Sequence, residues 1–219
     1  DANVKARKIM VVEKAIADGL GMDIDVKNSQ GVLVVDIGYD TTEVSILSLG
    51  GIVLSRLIKT GGLKFDEAVR QTVRREFNLL IGQKTAATIR QSIGDLEKEG
   101  KGAVVYGRDI VVGLPVEREI PTDLINSCLE EHFNTIIDSV KVILERTPPE
   151  LGADIFKHGV YLTGGASQTS HFAELLQKST GLKVNQAQRP LESVVLGMGR
   201  ILKEDNYKSV AYAIEGMGK

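Results

Sequence analysis

The sequence predicts an α/β fold in which one mixed β-sheet is covered by helices. Three β-branched runs at 32–36, 42–48 and 52–59 follow one another closely, and a Leu-Gly-Gly turn joins the last two as an antiparallel hairpin. A helix, a strand, a helix and a strand follow later in the chain, and glycine turns come after the first and fourth strands. This order of elements is typical of a ribonuclease-H-like fold.

The elements around the three strands are predicted from spacing and from turn residues. A short strand at 8–12 and a helical turn from Glu13 to Leu20 come first, and glycines close the turn. Apolar residues at helical spacing, with acidic residues in the first turn, predict an amphipathic helix over 65–78. A long helix from Thr122 to about Arg146 has a continuous apolar stripe and is stopped by a Pro-Pro pair.

Residues 79–121 differ in character from the flanking segments. They predict a short helix at 85–93, a solvated charged loop at 95–102, and brief strands at 103–106 and 116–120. We interpret this segment as a small α+β subdomain inserted into the main fold.

The last third of the chain returns to the alternating pattern. A buried strand at 159–163 runs into a glycine turn, and a helix follows at 170–180. A short strand at 183–187 precedes a helix that Pro190 is expected to open. No tandem repeat is present in the sequence.

Composition excludes several classes of function. The 219 residues are 42% hydrophobic and 26% charged, and their net charge is −2 without a basic block, so nucleic acid is not an expected partner. The single cysteine, Cys128, lies at an apolar helical position, which predicts a packed thiol in a reducing cytoplasm. No uncharged apolar run approaches the roughly 20 residues of a membrane span, so we expect a soluble protein.

Several segments together resemble a known family. They read VVDIG..TTEVSILSLGGIV, FDEAV, LLIG.KTA, GRDIVVGLP, LERTPPELGADI...GVYLTGGAS and LLQKSTGLKV. In order and spacing they are similar to the MreB/Mbl family of bacterial actin homologues. The resemblance extends over nearly the whole chain and through the segment at 79–121. It implies an actin-type ATPase fold, which clamps a nucleotide between two ribonuclease-H-like halves.

The resemblance also implies how the chain is divided. Residues 1–30 correspond to the end of the first lobe, with a strand and a helical turn. The core of the second lobe corresponds to 31–78 and 122–188, the inserted subdomain to 79–121, and the C-terminal helix and tail to 189–219. The opening phosphate loop and the membrane-contacting element of the family belong to the rest of the first lobe, which has no counterpart in these 219 residues.

ATP and Mg²⁺ are the cofactors that the resemblance implies. The family reads Asp-Ile-Gly-Gly-Gly-Thr-Thr at the phosphate turn, and this chain has Tyr39 and Asp40 at the second and third glycines. Glycines there let backbone N–H groups approach phosphate closely. An Asp40 carboxylate about 4–5 Å from a phosphate would oppose binding by several kcal/mol. Asp36 is implied to hold magnesium through water, although from the residues alone it could be a turn or cap residue.

Other positions of the implied site are exchanged as well. The family's Ile-Glu-Glu-Pro turn, near the attacking water, reads Val12-Glu13-Lys14-Ala15, so Glu13 is a weak catalytic candidate that also suits a helix start. The family's adenosine-contacting Glu-Arg-Ile-Lys begins here with Ala87, whereas the adenosine turn Thr-Gly-Gly-Gly-Ser keeps its form. The nucleotide-side residues implied are Asp36, Gly38, Tyr39, Asp40, Thr41, Thr42, Gly62, Ala87, Arg90, Gly164, Gly165, Ala166 and Ser167. We expect nucleotide binding to be weak or lost.

Two functions are compatible with these residues. The first is a cytoskeletal protein of bacterial cell-shape determination, a filament subunit or filament-associated paralogue, whose partners are itself or MreB-type subunits. It would be cytoplasmic and would reach the membrane through partners or the rest of the first lobe. The second is an ATPase or phosphotransferase of the sugar- or acid-kinase type. We favour the first, because the resemblance includes the inserted segment while the catalytic groups of a kinase are replaced. Alone, the chain is expected to be inactive, with Tyr39 and the 15–20 turn facing water.

Overall fold

The computed structural model describes residues 9–213. The strands are β1 (Met10–Val11), β2 (Val32–Ile37), β3 (Thr42–Ser48), β4 (Gly51–Ile58), β5 (Leu79–Leu80), β6 (Ala103–Asp109), β7 (Pro115–Ile120), β8 (Val160–Thr163), β9 (Val184–Gln186) and β10 (Tyr212–Ala213). The helices are α1 (Lys14–Gly21), α2 (Gly62–Phe77), α3 (Gln83–Lys98), α4 (Thr122–Glu145), α5 (Pro149–His158), α6 (Phe172–Thr180) and α7 (Ser193–Lys203). Residue 8 of the predicted first strand and residues 214–219 of the predicted tail lie outside the described range.

The main sheet has five strands in the order β4-β3-β2-β8-β9. The pairs β2–β3 and β3–β4 are antiparallel, whereas β2–β8 and β8–β9 are parallel. The mixed five-stranded sheet predicted from the sequence is therefore confirmed. Strand β2 lies at its centre and is buried along its whole length, which explains why its residues form a continuous apolar run rather than an alternating one.

Both faces of the sheet are covered. Alternate residues of β2 point to opposite sides, so Leu33, Val35 and Ile37 join a core with α2, α4 and α6, whereas Val32 and Val34 join a second core with α1 and α7. In the first core three phenylalanines meet edge to face, with ring centroids 5.5 and 5.2 Å apart. Within residues 9–213, every helix is too short or too polar to cross a lipid bilayer.

A second, antiparallel sheet has the order β5-β6-β7 and shares no strand with the first. Its buried side chains Ala103, Val105 and Ile120 belong to the same apolar core as α2 and α4. The small sheet thus pairs separately but packs continuously with the rest of the chain. The division of the chain into lobes and an inserted subdomain stays a prediction.

Two helical segments differ from the sequence prediction. The prediction of a charged loop at 95–102 is wrong for the first half of this segment, because α3 continues to Lys98. Ile93 is buried and Leu96 packs beside it, so the apolar face of the helix extends past Gly94, whose N–H donates to the Ser170 hydroxyl at 3.1 Å. Helix α5 was not predicted, although it begins with a proline at its first position and has an acidic first turn.

Helix α1 is buried rather than facing water, so the expectation for the 15–20 turn is wrong. Helix α7 packs on it so closely that a Cβ atom on Gly197 would lie 1.8 Å from the Ala17 carbonyl oxygen. Helix α7 also begins at Ser193 rather than at Pro190, whose carbonyl accepts the Gly164 N–H at 3.2 Å. Helix α7 has three exposed apolar residues, Val195, Met198 and Leu202, and Leu191 just before the helix is also exposed.

Candidate functional site

The candidate site lies where the neighbouring parallel strands β2 and β8 end. Asp36 is paired in register with Thr163, so the turns that follow the two strands are adjacent. Ligands of open α/β sheets bind at such carboxyl ends. Gly164 has φ +89°, and a Cβ atom there would lie 2.2 Å from the Asp36 Oδ1. Only glycine therefore fits at this position.

Gly62, the first residue of α2, is the meeting point of the predicted nucleotide-side residues. A Cβ atom placed on it would lie 3.3 Å from the Ala166 Cβ, 3.6 Å from an Arg90 Nη atom and 3.7 Å from a Tyr39 ring carbon. Together with Asp36 and Gly164, these residues form one cluster although they come from four separate segments of the chain.

The start of α2 is closed by the turn that follows β2. The N–H of Gly62 donates to the Gly38 carbonyl at 3.0 Å, and the N–H of Leu63 donates to the Tyr39 carbonyl at 2.8 Å. The first N–H groups of a helix are the usual donors to a bound anion. Here two of them already have partners, so the start of α2 is less available to phosphate.

Tyr39 connects this turn to α3. Its side chain is 53% exposed, and its hydroxyl accepts a hydrogen bond from Gln83 Nε2 at the first position of α3. Asp40 is exposed at the tip of the turn, and the Thr41 carbonyl accepts the Gly38 N–H at 2.9 Å. Tyr39 thus links the turn after β2 to the start of α3.

Thr42 and Glu13 have other contacts. The buried Thr42 hydroxyl donates to the Thr60 carbonyl at 2.7 Å, which fixes the end of β4 beside β3. Glu13 is exposed, and its carboxylate accepts a hydrogen bond from the Tyr212 hydroxyl at 3.3 Å. That contact directs its carboxylate toward β10. Its catalytic role stays a prediction.

Arg90 is held in a buried ion pair. Its Nε donates to Asp66 Oδ1 at 3.0 Å, its Nη1 donates to the Thr169 hydroxyl at 2.5 Å, and its guanidinium lies 5.7 Å from the centre of the Phe65 ring. The Arg90 and Asp66 side chains are only 5% and 4% exposed. Asp66 and Thr169 were not identified as site residues from the sequence, since their relation to Arg90 appears only in the folded chain.

The remaining predicted residues line the second turn or α3. The Ser167 hydroxyl donates to the Gly164 carbonyl at 2.7 Å, which stabilises the 3-10 turn Gly165–Gln168. Ala87 lies on α3, one turn before Arg90, and is half-buried. The turn after β8 is thus closed by a hydrogen bond of its own, and the roles of these residues in nucleotide binding stay predictions.

A charged group on α1 reaches Asp36 at the end of β2. The Lys14 ammonium forms an ion pair with Asp36 Oδ2 and lies 3.9 Å from Asp18 Oδ2. That Asp18 oxygen is buried and has no hydrogen-bond partner among the described residues. Burial raises the pKa of the Asp18 carboxyl to about 7; the Lys14 ammonium opposes the rise and Glu43 adds to it. Asp18 was missed from the sequence, although its position four residues after Lys14 on a helix was the available signal.

The residues present do not fit a divalent cation held by side chains. Asp36 Oδ2 is paired with Lys14, and Oδ1 lies against the backbone of Gly164. Among residues 9–213, no three acidic, histidine or cysteine side chains are grouped closely enough to hold a metal ion. A magnesium ion prefers six oxygen ligands in near-octahedral geometry. The described side chains therefore lack a direct magnesium site, and a role of Asp36 toward magnesium through water stays a prediction.

Comparison with known families decides which proteins this chain is related to. The profile described as MreB/Mbl protein matches residues 1–210. The chain belongs to the MreB/Mbl family. It is 38% identical over 200 residues to the cell shape-determining protein MreB of Escherichia coli K12, and the aligned part covers 90% of this chain and 58% of that relative. It is 37% identical over 191 residues to the cell shape-determining protein Mbl of Bacillus subtilis 168, and the aligned part covers 86% of this chain and 57% of that relative.

Solved structures give the same assignment. MreB5 of Spiroplasma citri bound to ADP is 38% identical and superposes with a TM-score of 0.83 over 90% of this chain and 60% of that one. The same protein bound to AMPPNP superposes with a TM-score of 0.80. The predicted fold class, that of actin-type ATPases, is thereby confirmed. The MreB/Mbl chain described here spans about 58% of the length of the E. coli relative.

Proposed function

We propose that this chain acts in bacterial cell-shape determination as an MreB-like cytoskeletal protein, either a filament subunit or a filament-associated paralogue. The observation that carries the proposal is the 38% identity to a cell shape-determining MreB over 90% of the chain. The similarity includes the segment that carries the small sheet, which a sugar or acid kinase would not be expected to share. The alternative function as a phosphotransferase is not favoured.

Nucleotide is the ligand proposed for the candidate site. The relative MreB5 is bound to ADP and to AMPPNP in its solved structures, and the cluster at Gly62 brings together segments of this chain that the family resemblance implies for a nucleotide. The turn at 164–167 would hold the adenosine side, and the turn after Asp36 the phosphate side. The exposed Asp40 carboxylate and the occupied N–H groups of α2 both oppose phosphate. We expect ATP to bind no more tightly than about 1 mM.

Calorimetry with ATP and Mg²⁺ tests this expectation. A dissociation constant of roughly 1 mM or weaker is predicted, without release of inorganic phosphate over hours. The variant Tyr39→Gly/Asp40→Gly restores the two glycines of the family turn, and we expect it to improve binding appreciably only when the other wall of the nucleotide cleft is also present. Micromolar affinity of the unaltered chain would show that Tyr39 and Asp40 form a phosphate site of their own.

The proposed partners are further copies of this chain or subunits of an MreB-type filament. The proposed location is the cytoplasm, at the inner face of the membrane when partners recruit the chain there. Nucleic acid is not proposed as a partner, since the net charge is −2 and the basic residues are dispersed.

Disruption of the gene in its own bacterium tests the cell-shape role. We expect wider or rounded cells, measured by light microscopy, and rescue by the wild-type gene. Rescue by Gly199→Ala but not by Gly197→Ala gives a matched control, because a Cβ atom at Gly199 has no neighbour within 4 Å whereas one at Gly197 overlaps α1. Normal cell width after complete loss of the protein would contradict the proposal.

A further inference from the structure

We propose that Lys14 takes the place of a divalent cation at Asp36, so that this site, if it has the nucleotide role proposed above, receives a phosphate group without magnesium. The carboxylate concerned is at the carboxyl end of the central strand, where Asp36 is only 4% exposed. One of its oxygens is paired with the Lys14 ammonium, and the other lies against the Gly164 backbone. Both oxygens therefore have neighbours before any ligand arrives.

The position of Lys14 makes it a competitor of any metal ion at this carboxylate. It is the first residue of α1, and its side chain is 47% exposed, so it lies between the buried carboxylate and solvent. Asp18, one helical turn further along, faces the same ammonium at 3.9 Å. The ammonium thus lies next to both carboxyl groups, that of Asp36 and that of Asp18.

A tethered ammonium has two advantages over a free ion. Its effective concentration is set by the chain and is in the millimolar range or above, so dilution does not remove it. A magnesium ion would also have to lose water and find oxygen ligands at about 2.0–2.1 Å beside an ammonium whose like charge repels it. We therefore expect free Mg²⁺ in the millimolar range to leave the Lys14–Asp36 pair intact.

The chemistry of the pair also defines what it can bind. An ammonium group has three N–H donors, and Asp36 accepts from it on one side only. The donors that face solvent can bind a phosphate oxygen, as lysine does in other phosphate sites. The ligand class is accordingly a phosphate or diphosphate group that arrives without its metal ion.

Amine labelling of the native chain measures the pair directly. We expect an amine-reactive ester, quantified by mass spectrometry, to modify Lys14 several-fold more slowly than Lys98, whose side chain is 79% exposed and whose partner Asp95 is also exposed. Mg²⁺ at roughly 10 mM should change the Lys14 rate by less than about twofold. An increase of the Lys14 rate with Mg²⁺, at constant Lys98 rate, would mean that the metal displaces the ammonium and would overturn the proposal.

Two further measurements complete the test. Asp36→Asn should raise the Lys14 rate several-fold and leave Lys98 unchanged, whereas equal rates in the wild type and the variant would show that the pair does not exist. If that variant does not fold, the Mg²⁺ titration of the wild type still decides. Lys14→Gln should bind Mn²⁺ at least tenfold more tightly than the wild type in electron paramagnetic resonance; equal binding would contradict the competition.

The phosphate part has its own readout. Inorganic pyrophosphate in the presence of EDTA should slow the labelling of Lys14 at least twofold relative to Lys98. Protection that requires Mg²⁺, or no protection under either condition, would overturn this part. None of these measurements involves filaments, so failure of the cytoskeletal proposal would be seen separately, as failure to assemble with MreB subunits while Lys14 stays protected by Asp36.

Discussion

Replacement of Arg90 by methionine tests whether this residue stabilises the fold or serves a nucleotide. The guanidinium and the Asp66 carboxylate are 5% and 4% exposed and 3.0 Å apart, so removal of the cation leaves a buried, unpaired carboxylate. Breaking a buried pair costs about 3–5 kcal/mol. A chain of this size loses about 2–4 °C of Tm for each kcal/mol, so Arg90→Met should lower the Tm by roughly 6–20 °C.

Thermal unfolding followed by circular dichroism, with urea unfolding as a second probe, measures this loss. The double variant Asp66→Leu/Arg90→Met should recover most of the stability, because neither charge is then left buried alone. Lys98→Met is the matched control: its partner Asp95 lies 3.1 Å away but both side chains are exposed, so the expected change is below about 1 kcal/mol. A Tm of Arg90→Met within about 2 °C of the wild type would refute the reasoning and leave Arg90 free for a ligand.

Three further predictions concern equilibrium unfolding. Gly197→Ala should lower the free energy of unfolding by about 3 kcal/mol or more, because the added methyl group overlaps the α1 backbone. Gly199→Ala on the same helix should leave it unchanged or raise it by about 0.5–1 kcal/mol. Equal effects of the two substitutions would contradict the packing of α7 on α1. The pKa of the Asp18 carboxyl is raised from 3.8 to about 7, so the stability of the wild type should fall as the pH rises across this interval. Asp18→Asn should remove this dependence on pH. Parallel stability profiles of the wild type and the variant would show that the carboxyl titrates normally. Thr42→Val should cost about 1–3 kcal/mol, because the buried Thr60 carbonyl loses its donor; an unchanged midpoint would show that water replaces it.

The strands of the main sheet were predictable because their signals are local. Strands β2, β3 and β4 are β-branched runs bounded by glycine or polar turn residues, and β2 is apolar up to Asp36 because both of its faces are covered. The end of α3 was harder to predict, because it contains a glycine and several charged residues. The whole of α5 was harder to predict because two prolines lie at its start. Tertiary packing stabilises both helices.

The location of the candidate site could be predicted from the sequence, but its electrostatics could not. The turns after Asp36 and Thr163 were identified by resemblance, and the parallel pairing of their strands brings them together. Whether a charged residue is available to a ligand depends on partners far along the chain. Arg90 pairs with a residue 24 positions away, and Lys14 crosses from α1 to β2. Such pairs are set by the packing of whole elements, so neither residue's role follows from its local sequence.

Co-sedimentation with filaments of a full-length MreB from the same bacterium tests the cytoskeletal function most directly. The chain alone should stay in the supernatant as a monomer or small oligomer, and it should pellet with the filaments in an amount that saturates as its concentration rises. Bovine serum albumin at equal concentration reports non-specific trapping. If the chain stays in the supernatant at every filament concentration, and instead turns over a phosphorylated small molecule, the cytoskeletal function is contradicted and the phosphotransferase is favoured.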